Sequence, residues 1–160
     1  MNHVQAIILA AGKSTRFNTG RTKLAEKICG QEIIIYITNL FEQLSIPMTI
    51  VVGYQQELLK EIIHARHGST ISFVHQPEQK GSWDALQCTK EEWYEEHILV
   101  INGDMPLVTT EIILKLYEKH IQEKADVSFT IAHHHEPSSS YGRIIKRDNK
   151  ISIIEAKEFA

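Results

Sequence analysis

The chain has 160 residues, about the size of one domain. Hydrophobic residues make up 42% and charged residues 23%, which excludes a disordered chain and predicts a packed core. With 17 basic against 20 acidic side chains the formal charge is -3, and no polybasic run appears, which argues against nucleic acid as the main partner.

Val4 to Ala10 is a short apolar run ending in Ala-Gly and reads as a buried strand. The stretch Ala6 to Ala11 is too short for a signal peptide and no Lys or Arg precedes it. Nothing approaches the ~18 apolar residues of a membrane helix, so no membrane partner is expected. Glu32 to Leu44 places Ile33, Ile37, Leu40, Phe41 and Leu44 on one helical face. Pro47 breaks the chain, and Met48 to Val52 is a second buried strand ending at Gly53. Leu58, Leu59, Ile62 and Ile63 mark a helix that stops near Gly68, and Ile71 to Val74 is a third strand. Ser82 is expected to cap a helix running to about Tyr94, with Trp83 and Trp93 as packing residues and Cys88 as a small core residue. Ile98 to Ile101 is a fourth strand. Thr109 or Thr110 opens a helix with Ile112, Ile113, Leu116 and Tyr117 inward. Val127 to Ala132 is expected to be a fifth strand.

Strands alternating with helices imply crossover units and a largely parallel α/β sheet. After Tyr141 two strand-like runs joined by Asp148-Asn149-Lys150 suggest a hairpin added to that sheet. Cys29 and Cys88 lack metal-ligand spacing, so a reduced, cytoplasmic setting is expected. His133, His134 and His135 alternate faces if extended and are poorly placed to ligate one ion. Followed by Glu136 and Pro137, they read as a solvated exit from a strand.

In open α/β sheets, ligands bind beyond the carboxyl ends of the strands, where strand order reverses. The distinctive stretches fall there: Gly12 to Lys23 after the first strand, His75 to Ser82 after the third, and Asn102 to Pro106 after the fourth. A strand order 3-2-1-4 would set Asp104 against the loop that begins at Gly12. Gly12-Lys13-Ser14 looks like the end of a P-loop, but the required first glycine would be at Ile7, inside the strand. G-x-G-x-x-G fails as well, because Ser14 stands where its second glycine belongs. What remains is a loop with Lys13, Arg16 and Lys23, and Arg21 as a fourth candidate. It is either a solvated basic turn or a backbone wrap for a polyphosphate, and Asp104 opposite favours the wrap. Asp104 suits a Mg²⁺ ligand, or alternatively a turn.

Together these stretches resemble the sugar-nucleotide pyrophosphorylases, and among them the uridylyltransferase domains of the bifunctional bacterial enzymes that make UDP-N-acetylglucosamine. The family pattern L-A-A-G-x-G-T-R-M, then P-K, reads here Leu9-Ala10-Ala11-Gly12-Lys13-Ser14-Thr15-Arg16-Phe17, then Thr22-Lys23. Q-x-E-Q-x-G-T is "QPEQKGS", Gln76 to Ser82; Y-G-D-x-P-L is "NGDMPL", Asn102 to Leu107. Y-G-R-I is Tyr141 to Ile144, and V-E-x-K-D-A is Ile154 to Ala160.

The resemblance implies a single Rossmann-like nucleotidyltransferase domain over 1–160: a mostly parallel sheet with helices on both faces and a C-terminal hairpin. It implies nucleotide contacts from Leu9, Ala10, Ala11, Gly12, Lys13, Gln76, Gly81 and Ser82, with Gln76 both donating to and accepting from uracil. Arg16 and Lys23 would act on the phosphates, Asp104 would hold Mg²⁺, and Asn102, Gly142 and Glu155 would meet the sugar. The expected partners are UTP and a sugar 1-phosphate; homo-oligomer formation is left open. Thr22 in place of proline, and Asn102 in place of an aromatic residue, depart from the family pattern. The family's domain continues well past position 160, so the chain is expected to be truncated relative to it. The alternatives are a non-catalytic nucleotide-binding module, or a transferase of the same fold for another base or sugar.

Overall fold

The computed structural model describes residues 1–13, 20–132, 142–148 and 150–154. They form two compact units, Met1–Asp126 and Val127–Ala160.

The first unit is built on a four-stranded parallel sheet. Its strands are β1 (Val4–Ala10), β4 (Met48–Val52), β5 (Ser72–His75) and β6 (His97–Asn102). The order β5-β4-β1-β6 is the expected 3-2-1-4 arrangement. The chain moves outward from β1 to β5, then returns to the other side of β1, so order reverses between β1 and β6. Leu9 pairs with Asn102 at that seam, and the Gly103 N–H donates to the Leu9 carbonyl at 2.9 Å. A two-residue hairpin, β2 (Lys27–Ile28) and β3 (Gln31–Glu32), precedes the first helix and turns through Cys29 and Gly30, both at positive φ.

Alternation along β1 sorts its side chains. Val4, Ala6, Ile8 and Ala10 join Ile50 and Val52 in a core with α1 (Ile33–Gln43), α2 (Gln56–His67) and α4 (Thr110–Glu123). Ile7, Ala11 and Val51 face the other way, against Ala85 and Leu86 of α3 (Ser82–Gln87). Helices therefore cover both faces. Phe41, Ile34 and Ile37 of α1 are fully buried, each such side chain contributing about 1.5–3 kcal/mol. Gln5, polar within a buried run, is satisfied: its Nε2 donates to Thr49 Oγ1 and the Glu92 carbonyl, both at 3.0 Å. Thr109 caps α4 by accepting from the Ile112 N–H at 3.4 Å.

Several expectations change. Gly81, not Ser82, is the N-cap of this helix, which begins at Ser82 and ends at Gln87, and a short 3-10 turn follows at Lys90–Glu92. Thr89 Oγ1 donates to the Leu86 carbonyl at 2.7 Å, offering the backbone a partner that competes with helix continuation. Trp83 and Trp93 therefore share no helical face. Trp83 is exposed, and Trp93 donates its indole N–H to Thr89 Oγ1 at 2.9 Å. Ile113 is buried but Ile112 is exposed. Cys88 is only half-buried.

The second unit contains β7 (Arg143–Arg147) and β8 (Lys150–Ile154), an antiparallel pair. Among the described residues they form their own two-stranded sheet rather than an addition to the main one. Lys150 belongs to the second strand, not to the turn. Val127 to Ala132 is not a strand: no ladder partner is present among the described residues, and Val127, Phe129 and Ile131 are exposed. His133 to His135 lie outside the described residues.

Candidate functional site

A cavity of about 710 Å³ is lined by residues from beyond the carboxyl ends of β1, β5 and β6. Leu9, Ala10, Ala11, Gly12 and Lys13 supply one wall. Ala11 is fixed by the turn after β4: the Tyr54 N–H donates to its carbonyl at 3.2 Å. A Cβ on Gly53 would stand 3.0 Å from both Ala11 Cβ and Ala11 O, tighter than side chains ordinarily pack, so glycine suits this close approach. Asn102 and Asp104 form the wall beyond β6. Between them Gly103 packs where a Cβ would meet Ile34 Cδ1 at 2.8 Å.

Lys23 enters from the 3-10 turn Lys23–Ala25, whose Leu24 and Ala25 are buried anchors. The turn is held by Gln55. Its side-chain Oε1 accepts from the Thr22 N–H at 2.7 Å, and its Nε2 donates to the Gly20 carbonyl at 2.8 Å. One amide thus clamps the chain on both sides of Arg21. Gln55 sits in the left-handed region at φ 53, a conformation costing about 1–2 kcal/mol in a non-glycine residue. Thr22 has φ -64, a value proline also takes, but its N–H carries the clamp.

Lys23 Nζ lies 2.6 Å from Asp104 Oδ2, with the two side chains 37% and 38% exposed. An ion pair that wet contributes about 0–1 kcal/mol to stability. Breaking this pair therefore costs little, and its members can serve other ligands, the ammonium an anion and the carboxylate a cation. Among the described residues no cluster of three or more His, Cys, Asp or Glu could hold a metal. One carboxylate suits a hard cation that takes its remaining ligands from phosphate oxygens and water.

Gln76 is buried, and its backbone N–H donates to the Val52 carbonyl at 2.8 Å. Its Nε2 donates to Asp84 Oδ2 at 2.7 Å and to the Gly81 carbonyl at 3.3 Å. Both amide hydrogens are committed. The amide that was expected to donate and accept is left with Oε1 alone to offer a ligand.

Leu9 to Lys13, Lys23, Gln76, Gly81, Ser82, Asn102 and Asp104, expected as site residues, all line this one cavity, and of the described first-unit candidates Arg21 does not. Arg16 and Glu155 lie outside the described residues. Gly142 belongs to the second unit, just before β7. Arg21 lines a separate groove with Glu26 and Glu32. Sequence reasoning missed Leu24, Gln79 and Ala85 in the lining, and the supporting amide and carboxylate of Gln55 and Asp84. Gln79 stands within "QPEQKGS" and could have been taken from that motif.

The MobA-like NTP transferase domain family matches residues 6–147. The chain belongs to that family. Among its relatives is the bifunctional protein GlmU of Clostridioides difficile (strain 630), 33% identical over 158 residues, covering 96% of this chain and 33% of the relative. GlmU of Caldanaerobacter subterraneus subsp. tengcongensis is 30% identical over 162 residues, covering 99% of this chain and 34% of the relative. The chain thus spans about a third of the length of these curated relatives. In fold it is similar to a nucleotidyl transferase from Methanothermobacter thermautotroptrophicus, with TM-score 0.62 and 19% identity over 74% of this chain and 58% of that one. No helix among the described residues is long and apolar enough to cross a membrane.

Proposed function

We propose that this domain transfers the uridylyl group of UTP to N-acetylglucosamine 1-phosphate, giving UDP-N-acetylglucosamine and pyrophosphate. One observation carries the reading: loops from beyond three separate strands converge on one cavity, where an ammonium and a carboxylate stand 2.6 Å apart. The resemblance of its motifs to uridylyltransferase domains, with similarity to GlmU over nearly the whole chain, favours uridylyl transfer in this reading.

The chemistry follows from charge. A phosphate oxygen of the sugar phosphate attacks the α-phosphorus of UTP, and pyrophosphate leaves from the opposite side. The nucleophile is already an anion, so no general base is required. The obstacle is repulsion between two polyanions. Lys23 and Lys13, with Arg16 by resemblance, reduce it by electrostatic stabilisation. Asp104 would hold Mg²⁺, which when bound neutralises phosphate charge. Lys23, which lies 2.6 Å from Asp104, would turn its ammonium toward the triphosphate. Backbone groups at Ala11, Gly12 and Gly81, with Gln76, would meet the base, and Asn102 the sugar; for Gly142 and Glu155 a sugar contact is implied by the family resemblance alone. The reading puts the domain in the cytoplasm.

The test is pyrophosphate release with Mg²⁺, UTP and N-acetylglucosamine 1-phosphate, run beside CTP and beside glucose 1-phosphate. Release with the first pair alone supports the proposal. Turnover with CTP in preference to UTP overturns its base assignment, and tight UTP binding without turnover overturns its catalytic part.

A further inference from the structure

We infer that Asp84 is a positioning residue for base selection, locking the Gln76 amide so that its carbonyl oxygen is the group offered to the nucleobase. The inference rests on the function proposed above, in which Gln76 meets the base.

The amide has two orientations that differ by exchange of its oxygen and nitrogen. Its neighbours decide between them. An ionised carboxylate and a backbone carbonyl are both acceptors only, so the nitrogen must face Asp84 and Gly81. The 2.7 Å bond to the Asp84 carboxylate is the stronger restraint, being charge-assisted; the 3.3 Å bond to Gly81 is long. Gly81 is also occupied by the Ala85 N–H, which donates to the same carbonyl at 3.1 Å. Asp84 and Ala85 both lie in α3, so this short helix ties the loop after β5 onto the amide. Oε1 is left on the other branch of a buried side chain that lines the cavity.

A fixed carbonyl selects a base that donates. The imide N–H of uracil does so, whereas cytosine carries a lone pair at the same ring position and would set acceptor against acceptor. In Asp84→Asn the new side chain satisfies either orientation, accepting through its oxygen or donating through its nitrogen. The amide is then free to turn and offer cytosine a donor, with the shape of the residue unchanged.

The experiment is calorimetric titration of the full chain with UTP, CTP and inorganic pyrophosphate in Mg²⁺, for wild type and Asp84→Asn. The wild type is expected to bind UTP more tightly than CTP. Asp84→Asn should lower that ratio roughly ten-fold or more, by weakening UTP and strengthening CTP. Pyrophosphate, which has no base, should bind the variant within about two-fold of wild type, because a merely structural loss would weaken all three ligands together. An unchanged ratio in Asp84→Asn beside a discriminating wild type overturns the role of Asp84 and leaves the proposed function standing. Joint loss of all three ligands shows a structural role and overturns it too. A wild type that binds neither triphosphate overturns the proposed function, and this inference with it.

Discussion

Removing the Gln55 amide isolates what positions Lys23. In Gln55→Ala the Thr22 N–H, on a fully buried residue, loses its acceptor at 2.7 Å. Gly20 is exposed, so its carbonyl is rehydrated and adds little. The left-handed φ of residue 55 is as costly for alanine as for glutamine, so backbone strain is unchanged. The loss is therefore that of one buried, unsatisfied donor, about 1–3 kcal/mol. At about 2 kcal/mol the melting midpoint of a chain this size falls by roughly 4–8 °C. Urea denaturation measures the free-energy change directly. Thr22→Pro supplies the control. Its φ of -64 suits proline, but the ring removes the donor and occupies the place of the hydrogen, so the clamp is already broken. Adding Gln55→Ala to Thr22→Pro should then cost little, giving a coupling of at least ~1 kcal/mol. Additivity of the two changes to within about 0.3–0.5 kcal/mol would refute the clamp.

Asp104→Asn should separate stability from activity. The pair with Lys23 is more than a third exposed, so denaturation should shift by less than about 1 kcal/mol, while pyrophosphate release falls ~10³-fold or more. Full activity in that variant would sink the assigned role. Gly53→Ala should destabilise the chain by about 1–3 kcal/mol, because its Cβ would press on Ala11 Cβ and O at 3.0 Å. UTP affinity should fall as well, since Ala11 lines the cavity; unchanged affinity in titration would show that this wall is not part of the site.

The sheet was legible because a parallel strand covered by helices is mostly apolar and ends where polar or small residues begin. Val4 to Ala10, Met48 to Val52 and the run before Asn102 fit that pattern, the buried exceptions Gln5 and Thr49 being hydrogen-bonded to each other. Val127 to Ala132 fits the local pattern too, yet a strand is a pairing with another segment, which composition alone does not report. The helix after Ser82 was read too long because side-chain competition by Thr89 leaves no periodic signature. The chemistry-bearing residues of the cavity were legible for a topological reason. They follow strand ends, and the reversal of strand order brings those ends together. Their supports were not. Gln55 acts across 33 residues on Thr22, and Asp84 acts from a helix on a strand-end amide; neither spacing belongs to a motif.

The account stands on a triphosphate and its cation occupying the space between the loop after β1 and the carboxylate after β6. The most direct measurement is a crystal structure with UTP and Mn²⁺ in place of Mg²⁺, read by anomalous scattering. The account predicts a manganese peak bound to the Asp104 carboxylate, with triphosphate oxygens completing the coordination and Lys23 turned from Asp104 onto phosphate. A nucleotide bound away from this cavity, or manganese bound with Lys23 and Asp104 still paired, would contradict it.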